Sequence, residues 1–156
     1  MHAPLQIIKA IEYDIPCVVL IRNPIDAIAS VLVVDRTLST RFAIQSYINF
    51  YERIWPLRHD VVISDFKDTT KRPHQVVARI NQRYGTSFYM EPITSEVRDT
   101  IFSQLKDTQK ELKQPEHLVA IPTEAKAQIK QDVLQELIGH PLLSTANLLY
   151  QKFLEI

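Results

Sequence analysis

Glycine is scarce in this chain: its 156 residues include two, Gly85 and Gly139. Each follows a helical pattern, His74 to Tyr84 and Glu124 to Ile138, where a left-handed residue is wanted to end a helix. None is left over for a phosphate loop, which excludes both a P-loop and a dinucleotide fingerprint. Cysteine is scarcer still. Cys17 stands alone inside an apolar run, which excludes a disulfide framework and fits a reducing cytoplasm, the expected location. Neither sign of charge prevails, with 18 Lys and Arg against 18 Asp and Glu. No global field points to DNA or RNA, so any anion binding must be local. No apolar stretch approaches the ~20 residues of a membrane span. Met1-His2-Ala3-Pro4 lacks the basic and apolar regions of a signal peptide. His59, His74, His117 and His140 show no metal-ligand spacing, and no metal is expected.

What is present suits one domain. The chain is 46% hydrophobic, enough for one core at this length and too short for two. Leu5, Ile8 and Ile11 predict a first helix to about Tyr13, and Cys17 to Ile21 reads as a buried strand. A helix follows from Pro24, with Asn23 as its N-cap, Pro24 at its first position and Asp26 at N3. Phe42 to Trp55 predicts a second long helix stopped by Pro56, and Val61 to Ile63 a second strand ending in Ser64-Asp65. Helical patterns then cover 74–84, 95–112, 124–138 and 144–154, while Lys106 to Glu116 reads as a solvated helix end and loop.

Strands separated by helices imply a parallel α/β sheet covered on both faces. Two strands are fewer than such a sheet normally needs. The expectation is a single partial domain over 1–156, its sheet missing members on the N-terminal side. Its exposed edge would invite a partner chain or a second copy.

Ligands of open α/β sheets bind beyond the carboxyl ends of the strands, where Arg22 and Asp65 fall. Arg22 offers a fork of donors to a phosphate, and the N–H groups of the helix from Pro24 add a favourable dipole. Ser30, four residues after Asp26 on the same helix face, can donate to the same anion. The competing reading pairs Arg22 with Asp26 or a neighbouring carboxylate and puts Ser30 in a tight helix contact. Tyr47, Phe50, Tyr51 and Trp55 form an aromatic helix, for which packing against the sheet outranks stacking on a base.

Arg22-Asn23-Pro24-Ile25-Asp26, with Ser30 eight residues after the arginine, resembles the R-N-P-x-D-x-x-x-S segment of PAPS-dependent sulfotransferases. In that family the Arg and Ser bind the 3′-phosphate of 3′-phosphoadenylyl sulfate (PAPS). His2-Ala3-Pro4, twenty residues before Arg22, is similar to the family's K-T-H-x-P segment, whose histidine is the catalytic base. More loosely, the helix from Tyr47 to Trp55, the second strand, Asp65-Phe66, Pro73 and the helix to Tyr84-Gly85 resemble the family's helix, strand, Y-E-D-L turn, proline and helix. The likeness covers roughly residues 2 to 88.

The resemblance implies a sheet like that of P-loop-containing nucleoside triphosphate hydrolases. It also implies sulfuryl transfer from PAPS to a hydroxyl or amine of an unidentified small-molecule or carbohydrate acceptor. Arg22 and Ser30 would bind the cofactor, PAPS or its product 3′,5′-ADP, and His2 would be catalytic. Three departures stand against a complete enzyme. The family's 5′-phosphosulfate loop has no counterpart before His2, Ser64 replaces the Glu of the turn, and the late R-K-G-x-x-G segment is missing. As a terminal residue, His2 also frays unless docked. The alternative is therefore a non-catalytic remnant or interaction module that keeps the 3′,5′-ADP half-site.

Overall fold

The computed structural model describes residues 4–112 and 124–156; His2, and residues 113–116 of the expected polar loop, lie outside the described residues. Helix α1 (Pro4–Glu12) leads into strand β1 (Val18–Ile21), then α2 (Pro24–Val34) and α3 (Thr40–Ile54). A 3-10 turn over Trp55–Leu57 carries Pro56 and brings the chain to β2 (Val62–Asp65). There follow α4 (Phe66–Lys71), α5 (Pro73–Tyr84), α6 (Ser95–Leu112), α7 (Glu124–Leu137) and α8 (Leu142–Leu154). The architecture is α/β, mostly helical, around a two-stranded parallel sheet with Val18 opposite Val62 and Ile21 opposite Asp65.

Local chemistry accounts for the element ends. The Asn23 side chain caps α2 by accepting from the N–H groups of Ile25 and Asp26, at 3.0 and 3.5 Å. Ser39 caps α3 through Phe42 N–H at 3.2 Å. Gly85 and Gly139 hold φ of 63° and 86°, the left-handed region predicted for both. Helix α4 is an addition to the expected order. Asp65 caps it through Lys67 N–H, and Pro73 opens α5 two residues beyond its end.

The two faces of β1 have different fates. Val19 and Ile21 point into one contiguous core shared with α2, α3, α7 and α8. Val18 and Leu20, on the other face, keep 37% and 42% of their surface exposed. On β2 that second face is covered: Ser64 is fully buried, bonded to Thr69 of α4 and Arg79 of α5. Beside β1 it is open.

Two tyrosines of α3 close part of the β1 edge. Val62 N–H donates to the Cys17 carbonyl, so by parallel alternation Cys17 and Val19 direct their carbonyls at β2. Those of Leu20 and Arg22 face away from it. Tyr51 Oη donates to the Leu20 carbonyl at 2.9 Å, and Tyr47 Oη to the Arg22 carbonyl at 2.8 Å. Two acceptors of the edge expected to be open are thus already satisfied. Burial raises both phenols, Tyr51 to about 12, so each remains a neutral donor. Helix α6 shows Val97, Ile101 and Leu105 to solvent. Among the described residues no helix is long and apolar enough to cross a membrane.

Candidate functional site

Arg22 follows the last residue of β1, so its side chain leaves the sheet at the carboxyl end of the strand, beside the start of α2. One helix turn and a half further on, Ser30 faces back toward it. Arg22 Nη1 donates to Ser30 Oγ at 3.1 Å, and the guanidinium carbon lies 4.3 Å from the centre of the Phe66 ring. The ring of Phe66 thereby fixes one face of the cation by an attraction that leaves the edge donors available. Arg22 Nε is buried without a hydrogen-bond partner. The sequence thus brings Arg22 and Ser30 together as expected.

The two structural alternatives raised for this pair do not describe the site. Asp26 is held by Lys130 Nζ at 2.7 Å, not by Arg22, and among the described residues no carboxylate lies within ion-pair distance of the guanidinium. Ser30 lies at the edge of a cavity and is not sealed in a helix contact. One expectation is corrected. The first N–H groups of α2 are occupied by the Asn23 side chain, so the helix supplies its dipole but not those donors.

Asp65, the residue expected at the end of β2, is fully employed in holding elements together. One carboxylate oxygen caps α4 at 2.8 Å and the other accepts from Tyr150 Oη at 2.7 Å. Burial, then the bond to Asp65, push the Tyr150 phenol up to about 12. Lys130 and Tyr150 come from α7 and α8, a region to which the sequence suggested no role. Both reach the ends of the strands, and no local pattern announces either.

No protein-family model, curated protein or solved structure matches this chain. The functional reading therefore rests on the residues themselves. Among the described residues no group of three or more His, Cys, Asp or Glu side chains converges as a metal site. Cys17 lies by the cavity with its thiol raised by burial, so it is a poor nucleophile. The site can offer a planar cation and a hydroxyl to one anion, next to a space of about 630 Å³ bounded by β1, α1, α2, α3 and Phe66.

The Asp26–Lys130 pair makes a prediction of its own. The hydrogen bond from Lys130, helped by the charges of Lys130, Arg22 and Lys67, holds the Asp26 carboxyl below its ordinary range. Folded Asp26 therefore binds fewer protons than unfolded Asp26 in mildly acidic solution, and its stabilisation is present above the ordinary carboxylate pKa. It is lost as pH falls through the lowered folded value. Both side chains are partly exposed, so Lys130→Ala is expected to cost no more than about 1 kcal/mol at neutral pH. Urea melts at neutral and acidic pH should show the variant losing less stability on acidification than the parent.

Proposed function

We propose that Arg22 and Ser30 form a 3′-phosphate half-site of a sulfotransferase-like domain whose fold is related to that of P-loop nucleoside triphosphate hydrolases. The observation that supports this is a guanidinium within 3.1 Å of a serine hydroxyl, at the carboxyl end of a parallel strand, with no carboxylate in direct ion-pair contact with it among the described residues. A cation so placed fits a phosphate through charge-assisted, forked hydrogen bonds, and the serine adds a neutral donor. PAPS is the donor this reading implies. His2 would take the proton from an acceptor hydroxyl or amine as it attacks sulfur. The bond between sulfur and the phosphate oxygen breaks, and 3′,5′-ADP leaves.

Titration calorimetry tests the half-site directly. 3′,5′-ADP is expected to bind the parent chain, and Arg22→Ala to weaken binding by about 1–3 kcal/mol through loss of a charge-assisted contact. Equal affinity for the two proteins would remove the assignment. A second reading, a binding module without transferase activity, is favoured by the occupation of the other polar groups at the strand ends. Asp65, Tyr150, Asp26 and Lys130 are all engaged with one another or with the backbone. Absence of sulfuryl transfer from PAPS to any of a panel of phenols, alcohols and amines, with 3′,5′-ADP binding intact, would select it.

A further inference from the structure

The cavity beside β1 is apolar along its length and charged at one end. Val18, Leu20, Val31 and Phe42 line it while remaining between about a third and a half exposed. Among the described residues, Arg22 is the single charged member of the lining, and no Asp or Glu belongs to it. The lining tyrosines Tyr47 and Tyr51 already donate their hydroxyl hydrogen bonds to the carbonyls of Arg22 and Leu20. They therefore turn ring surface, and not a free donor, toward the cavity. Polar recognition is left to Arg22, Gln6 and the nearby serines, and the rest of the wall rewards contact with hydrocarbon.

We infer that this cavity binds an amphipathic organic anion, a single carboxylate or sulfate head on an aliphatic body. The head would meet the Arg22 fork and Ser30, and the body would lie along Val18, Leu20, Val31 and Phe42. Charge complementarity selects this occupant over a neutral lipid, because burying the guanidinium under hydrocarbon without an anion would leave its donors unpaired. A volume of about 630 Å³ suits a ligand of modest size. The inference rests on the same Arg22–Ser30 grip as the nucleotide reading, but does not need a nucleotide.

Dodecanoate, used well below its micellar concentration, is the probe, with dodecanol and 3′,5′-ADP titrated in parallel by calorimetry. The proteins are the parent chain, Arg22→Gln and Phe42→Ala, each first checked for native circular dichroism. Dodecanoate should bind the parent and lose about tenfold or more in affinity in each variant. Phe42→Ala should leave 3′,5′-ADP binding unchanged. No dodecanoate binding to the folded parent, equal binding by both variants, or dodecanol binding as tightly as dodecanoate would overturn the inference. So would a stable dimer that shields this face and excludes dodecanoate. Dodecanoate binding that depends on Arg22, without any 3′,5′-ADP binding, would uphold the inference and defeat the nucleotide reading instead.

Discussion

Phe153→Ala is expected to lower the free energy of unfolding by about 3–5 kcal/mol, the largest effect of any single substitution considered for this chain. Phe153 sits on α8 with 2% of its surface exposed. Its ring meets Trp55 edge-on, with centroids 5.1 Å apart, and Tyr51 at 5.6 Å. Removing it deletes a large buried area and both ring contacts, and opens a void between α3 and α8 that rigid helices cannot collapse to fill. Trp55 is the single tryptophan, so its fluorescence reports the change twice. The native emission should shift, and the urea midpoint should fall. An unchanged midpoint would mean that α8 does not belong to the core that holds the strands.

Leu137→Ala should cost about 2–5 kcal/mol, by the same sum of lost transfer energy and residual cavity. Leu137 and Val133 are fully buried where α7 packs on α2. The rim of that contact is polar: Arg36 pairs with Glu136 at 2.9 Å, and Thr40 donates to Glu136 at 3.2 Å. These exposed pairs add little; the leucine carries the docking. The informative measurement compares two probes. Trp55 fluorescence lies far along the chain from α7, whereas circular dichroism sees every helix. Coincident transitions displaced together would make the chain one cooperative unit through its C-terminal helices. A displaced dichroism transition with an unmoved fluorescence transition would show α7 melting alone.

The sequence was legible where the causes of structure are local, and illegible where distant segments meet. Helices and strands followed from apolar periodicity, and their ends from Asn23, Pro24, Gly85 and Gly139, because those causes act within one turn of the chain. Helix α4 escaped notice for a physical reason. It has six residues and no apolar period, and is held by the Asp65 cap and by Thr69 and Thr70 donating back to the carbonyls of Asp65 and Phe66. Arg22 and Ser30 were legible because eight residues of strand-turn-helix fix their approach. Lys130 and Tyr150 were not, because their partners Asp26 and Asp65 stand 104 and 85 residues away. Only the packing of α7 and α8 on the domain creates those encounters. The resemblance to sulfotransferases drew on the local part of the chain, and so reached the Arg22–Ser30 pair but not its surroundings.

The tyrosine pair on α3 carries a consequence of pure metrics. Four residues of helix advance about 6 Å, and two residues of strand advance about 6.6 Å. Tyr47 and Tyr51 are four apart, and the carbonyls they reach, on Arg22 and Leu20, are two apart in the opposite direction. The helix therefore runs against β1 as an antiparallel ruler whose graduations nearly coincide with those of the strand. Two phenols do for β1 what the donors of a neighbouring strand would do, over the span where the graduations agree. A one-residue insertion between Tyr47 and Tyr51 would turn one hydroxyl by roughly 100° about the helix axis and so detach it from its carbonyl. The length of α3 between those residues is fixed by the pitch of a strand it does not belong to.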